Sequence, residues 1–425
     1  MKPTGFHLPD KLHYSAQEPS APVSLQWMNY KRGVLGLAAL FLLELAAGGL
    51  LPGCKTRTAG PGDSVKHELS PGFYQTFTNR VDSPLPRPTG PFAVGRLERL
   101  LIDPSRNILY RTVTNGSLMA TIWYPAGDVR GRAPGPYVSP REMTAWVELF
   151  RKYGARWDAA QIGRLTNSRS FSFPDAPFAR QPRKFPLILY SHGQVGLRTD
   201  NSGSAEELAS HGFVVVSSAH GGSAGMELPD GNLVKPQLEF HLSGNDTNPV
   251  AVAVFQDQTR DVQFLMDELA RLNATDRFFA GRLDTNHIGV FGFSYGGASA
   301  AELCNVDHRC SAGVALDPGG HPDLSQLHFK QPFMVLTGPH GLSSGSRLLF
   351  EQLAGDACFI QFHNASHAEF SDAAEFFQPS ADARVQTLVR KYLVSFFTRY
   401  LKNADGHELD ASAPEAPQIE LFLRK

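Results

Sequence analysis

Residues His287–Leu303 read HIGVFGFSYGGASAAEL, and the order of residue types in this stretch decides the fold. His287–Phe293 (HIGVFGF) is an apolar run bounded by glycine, the composition of a strand buried on both faces, and such strands belong to parallel sheets. The small residues that follow, GASAAEL, read as a helix. Between them Gly292-Phe293-Ser294-Tyr295-Gly296 is a GxSxG sequence. A serine there sits on a tight strand-to-helix turn with little room for neighbouring side chains, which is why glycine flanks it at two positions. The turn lifts the hydroxyl clear of the sheet and aims a helix N-terminus at developing negative charge. A lone GxSxG arises by chance; its place between strand and helix marks Ser294 as a candidate nucleophile.

Working outward, similar apolar runs recur at Leu118–Tyr124, Pro186–Tyr190, Phe213–Ser217, Ala312–Leu316, Pro332–Thr337 and Cys358–Phe362. Helices are expected between them: Ser204–His211, closed by Gly212 as a C-cap; Val250–Leu272, where Phe255, Val262, Leu265, Met266 and Leu269 form one apolar stripe; and an amphipathic final helix, Val385–Leu401. This alternation predicts an α/β protein with a mostly parallel, doubly wound sheet and helices on both faces. Two connections, 128–184 and 221–248, are long and read as lid-like or substrate-binding insertions.

A serine hydroxyl at its ordinary pKa is a poor nucleophile and needs a base within hydrogen-bond reach. His367 fits: Cys358–Phe362 is a late strand, HNAS a loop, and HAEF opens the next helix. His363 is the alternative, but it continues the strand. The base needs an acid to fix its tautomer. Asp317 ends the strand Ala312–Leu316 just before Pro318 and Gly319, at the carboxyl edge where open α/β sheets form their sites. An aspartate that only satisfies turn amides is the plainer alternative. The chain order Ser, Asp, His is that of the α/β-hydrolases. An oxyanion hole needs two convergent backbone N–H groups, expected from Tyr295 and, in the loop after Pro186–Tyr190, from Gln194. His192 in that loop braces it rather than reacting.

The 425 residues carry a formal net charge of -1 and a pI near 7.0. Nothing in that balance favours nucleic acid. Of the 4 cysteines, none forms a CxxC pair, so a zinc ribbon or thioredoxin-type site is not expected. No residue cluster implies a metal, and no cofactor is expected. Cys304 and Cys310 either bridge locally in an oxidising compartment or stay as two buried thiols. Cys358 opens an apolar run and reads as core.

Lys31 and Arg32 precede the apolar stretch Gly33–Leu51, followed by Pro52, Gly53 and Cys54. This is the pattern of a secretory signal. The ending LPGC also resembles a bacterial lipobox, which makes Cys54 a candidate lipidation site. The alternative is an uncleaved membrane anchor. Either way the rest of the chain is expected outside the cytoplasm, attached to a membrane or, failing both, secreted. The expected organisation is a leader with signal over 1–54, a flexible tether over 55–88, a catalytic domain over 89–405 and a C-terminal tail over 406–425.

SHGQVGLRTDNSGSAEELASHGFVVVSSAHGGSA resembles the corresponding stretch of the plasma-type platelet-activating-factor acetylhydrolases (group VII phospholipases), as do GPFAVG near Pro91, the GFSYGG turn and GVALDP. The resemblance covers about residues 90–400 in outline. It implies an α/β-hydrolase fold and a calcium-independent serine esterase that removes short acyl groups from the sn-2 position of phospholipids. Its nucleophile, acid and base fall on Ser294, Asp317 and His367, and its oxyanion donors on Gln194 and Tyr295. The chain departs from the family at Phe293, where histidine is more frequent, and at Gln194, where an aliphatic residue is usual. Other readings are a general short-chain carboxylesterase, dienelactone-hydrolase-like or polyester-cleaving, and a lipid-anchored binding protein without turnover.

Overall fold

The computed structural model describes residues 83–104, 116–152, 155–180, 184–220, 225–235, 249–319, 324–339, 345–377, 383–409 and 419–424. Cys54, the apolar stretch 33–51 and residues 55–82 of the expected tether lie outside them. Among the described residues, no helix is long and apolar enough to cross a membrane.

Among the described residues, ten strands form one sheet. In chain order they are β1 (Ala93–Ile102), β2 (Ser117–Ala126), β3 (Ser172–Pro174), β4 (Phe185–Ser191), β5 (Val214–Ser218), β8 (Leu283–Phe293), β9 (Cys310–Leu316), β10 (Phe333–Thr337), β11 (Ala357–Phe362) and β12 (Ile419–Arg424). A separate hairpin joins β6 (Met226–Glu227) to β7 (Leu233–Val234). The spatial order is β12-β11-β10-β9-β8-β4-β5-β2-β1-β3. The central strands β5, β4, β8, β9, β10 and β11 pair in parallel. At the margins, β2 joins β5, β1 joins β2, and β12 joins β11, all antiparallel.

Strand periodicity puts successive side chains on opposite faces, and the core divides accordingly. Leu187, Leu189, Val214 and Val216 point to one face, where they meet α4 (Pro249–Thr275), α5 (Tyr295–Val306) and α6 (Gly345–Gln352). Ile188, Tyr190, Phe213 and Val215 point to the other, against α3 (Ser202–Ser210) and α8 (Ala383–Lys402). The α/β-hydrolase architecture expected from the sequence is present. Gly212 takes φ 84° after α3, the left-handed cap the sequence reading required.

Part of the insertion 128–184 is a fixed wall. It holds α1 (Pro140–Lys152), α2 (Ala159–Asn167) and β3. Asp158 caps α2 through Gln161 N–H (2.7 Å), and the Gln161 side chain answers Asp158 N–H (2.9 Å). These helices and α7 (Ala373–Phe377) enclose a third apolar cluster that includes Trp146, Phe150, Trp157 and Phe377. Of the insertion 221–248, only the β6–β7 hairpin region lies within the described residues.

Two expected boundaries need correction. The C-terminal span 406–425 is not a tail throughout, because Ile419–Arg424 completes the sheet as β12 with Phe422 opposite Ile360. The tether ends before 88: Leu85 is 3% exposed within the third cluster, and Thr89 N–H donates to Glu207 at 2.8 Å. One apolar side chain in a polar segment is enough to fasten it when a hydrophobic recess receives it.

Candidate active site

Open α/β sheets form their sites where neighbouring strands lead off in opposite directions. That point here lies between β4 and β8, whose ends meet at the pair Ser191 and Gly292. The loop after β4 therefore adjoins the turn after β8.

Ser294 stands at φ 57° and ψ -120° as the residue before α5. Non-glycine residues hold such a conformation only when their surroundings enforce it. Its N–H donates to Leu316 O (2.8 Å), while its carbonyl accepts from Gly297 (2.9 Å) and Gly319 (3.2 Å). The flanking glycines are steric necessities. A Cβ at Gly292 would lie 2.0 Å from Gly296 O, and one at Gly296 2.0 Å from Ser191 O.

The same bond from Ser294 to Leu316 brings the end of β9 alongside the nucleophile turn. Asp317, the next residue, is buried and takes φ 42°. Its Oδ1 accepts from Thr337 Oγ1 (2.7 Å) and Gly338 N–H (3.2 Å). Its Oδ2 lies 2.5 Å from His367 Nδ1. With the proton on Nδ1 facing the carboxylate, the basic lone pair is on Nε2. The Phe293 ring backs the imidazole at 4.6 Å and 31°. His363, the alternative base, has a side chain 59% exposed and lies near Glu420, away from Asp317.

Ser294 and His367 line one cavity of about 110 Å³ together with Gly193, Gln194 and the aromatic residues Tyr137, Trp146, Phe150, Phe293, Phe376 and Phe377. Gly193 is close to the nucleophile: a Cβ there would sit 3.3 Å from Ser294 Cβ. Gly193 O is gripped by His192 Nδ1 (2.8 Å) and Gly196 N–H (3.0 Å). Burial pushes the His192 imidazole well below its ordinary pKa, with His220 next in effect. It is neutral, donating from Nδ1 and accepting His220 N–H at Nε2 (3.2 Å).

The sequence reading brought Ser294, Asp317, His367, Gln194 and Tyr295 together, and the structure places all five in one region: Tyr295 follows Ser294 directly and begins α5. It missed a buried polar set behind the loop. His220 bridges Ser191 Oγ (3.0 Å) and Asp261 (3.1 Å), and Gln258 donates to Ser191 Oγ (2.8 Å) and His192 O (3.0 Å). Nothing local in the sequence marks these partners. It also missed the aromatic wall, although Trp146 and Phe150 in that long connection were a signal. Cys304 and Cys310 are bridged, tying the end of α5 to the start of β9; Cys358 is buried and takes no part in a disulfide.

Residues 77–227 match the model of the family described as platelet-activating factor acetylhydrolase, isoform II. The fold is that of an α/β-hydrolase. The matched span holds the loop after β4 and stops before Ser294, Asp317 and His367. The platelet-activating factor acetylhydrolase of Cavia porcellus is 26% identical over 273 residues, 58% of this chain and 58% of that protein. The one of Bos taurus is 25% identical over 284 residues, 60% of this chain and 59% of that protein. The chain thus spans less than two thirds of the length of these relatives. Among solved structures, a ferulic acid esterase from Streptomyces cinnamoneus superposes with a TM-score of 0.66 at 25% identity, over 81% of this chain and 100% of that one.

Proposed function

We propose that the chain is a serine esterase working through an acyl-enzyme. The supporting observation is the hydrogen bond from His367 to Asp317, at a cavity whose wall also carries Ser294 in its strained turn. In this reading His367 Nε2 takes the Ser294 proton as the hydroxyl attacks an ester carbonyl. The negative charge that forms on the carbonyl oxygen is met by the N–H groups of Gln194 and Tyr295. His367 then returns the proton to the leaving alcohol, and water releases the acid by the reverse steps. Asp317 keeps the proton on Nδ1 throughout.

The relatives' names point to an acetyl ester of a phospholipid, and the structural neighbour's to an ester of an aromatic acid. The cavity wall is built mainly of rings and aliphatic side chains, which favours an apolar or aromatic acyl group. Parallel hydrolysis of a short-acyl phospholipid, a butyrate ester and a methyl hydroxycinnamate separates these substrates. The proposal also keeps the chain outside the cytoplasm, attached through Cys54 or the apolar segment before it. The Cys304–Cys310 bridge supports an oxidising compartment.

A fluorophosphonate probe tests the chemistry. Wild type is expected to label and Ser294→Ala not to label. A folded wild type that resists labelling would favour a binding protein on the same frame.

A further inference from the structure

The hydrogen bonds around the loop after β4 run in series. Trp146, on α1, donates its indole N–H to Val195 O at 3.1 Å. That carbonyl shares a peptide unit with the Gly196 N–H, which donates to Gly193 O at 3.0 Å. The Gly193 carbonyl in turn shares its unit with the N–H of Gln194. The carbonyl and N–H of a trans peptide point in opposite directions, and the described residues contain no cis bond. A group that grips one end of each unit therefore aims the other. Val195 itself stands at φ 54°, a conformation that a β-branched residue keeps only when neighbours hold it.

We infer that Trp146 is a positioning residue for the oxyanion site: through the units Val195–Gly196 and Gly193–Gln194, its indole N–H sets the direction of the Gln194 N–H. Hydrogen bonds linked in this way also polarise one another. The inference rests on the proposed esterase reading. The indole ring has a second, separable role, since it lines the cavity and stacks on Trp157 at 5.3 Å and 9°. Trp157 does not line the cavity, so it serves as the control for ring packing.

The test compares Trp146→Phe and Trp157→Phe on a soluble p-nitrophenyl ester, with a trifluoromethyl ketone as mimic of the tetrahedral intermediate. For Trp146→Phe, kcat and affinity for the ketone are expected to fall together by about tenfold, with KM nearly unchanged. That is a fraction of the hundredfold or more typical of losing a whole oxyanion donor. Trp157→Phe is expected to keep wild-type kcat. Should Trp146→Phe fold poorly, benzothienylalanine at 146 keeps the bicyclic ring and removes only the N–H. A kcat within twofold of wild type, or a rise in KM alone, overturns the inference. Hydrogen exchange over residues 193–197 reads the pin independently of turnover. Faster exchange in Trp146→Phe supports it even if the wild type proves not to cleave esters, whereas unchanged exchange overturns it.

Discussion

Ser294 occupies a backbone conformation that only its neighbours make tenable, and those neighbours are glycines for steric reasons. Gly296→Ala would drive a Cβ into the Ser191 carbonyl, which is backbone and has no rotamer to retreat into. It is expected to lower stability by about 1–3 kcal/mol and to reduce turnover further, because the loop it displaces carries Gln194. Asp317→Asn is a gentler change. It is expected to cut kcat by about 10⁴-fold, by favouring the wrong imidazole tautomer, while urea denaturation shows a near-native midpoint. These residues were legible in the sequence because backbone sterics and strand ends leave local signatures. Trp146 and Val195 were not: 49 positions separate them, and an indole reaching one carbonyl has no periodicity to reveal it. The His220, Asp261 and Ser191 set stayed hidden for the same reason.

Among the elements, the parallel strands were readable because burial on both faces demands unbroken apolar runs. The wall helices α1 and α2 were not, because their outward faces are polar and they interrupt a long connection. The structure fastens that wall instead of leaving it as a lid. Glu142, fully buried on α1, pairs with Arg198 at 2.5 Å, and Arg198 also meets Glu98 at 3.2 Å. Glu142→Ala leaves the buried guanidinium with Glu98 as its remaining carboxylate partner and is expected to destabilise the fold by about 1–3 kcal/mol, measured by chemical denaturation. The Cys304–Cys310 bridge joins the nucleophile's helix to the strand that delivers Asp317. Its removal in Cys304→Ser/Cys310→Ser is expected to cost about 2 kcal/mol, and an unchanged midpoint would count against a structural role. β12 escaped notice because its short run carries charge at Glu420 and Arg424 and follows a proline-rich segment.

For the molecule as a whole, buried carboxyls set the response to pH. Burial pushes Asp200, in the cavity wall, and Glu206, on α3, up to about 7. Each binds a proton in the folded state that the unfolded chain releases near pH 4. The folded state therefore holds more protons between about pH 4 and pH 7, and stability falls as pH rises through that window. Asp307 works in the opposite sense. The hydrogen bond from Arg309 holds it down at about 2, so its contribution is present above pH 4 and is lost on further acidification. Urea unfolding is expected to give a lower midpoint at pH 7.5 than at pH 5, with the difference reduced in Asp200→Asn. Equal midpoints in wild type would show that these carboxyls are not held neutral. The reaction itself is tested most directly by rapid acid quench of the enzyme with an activated ester, followed by intact-mass and peptide mass spectrometry. One acyl group on the peptide containing Ser294, formed and lost at rates compatible with turnover, is the expected result. Steady hydrolysis with no acyl adduct on that peptide would contradict the account.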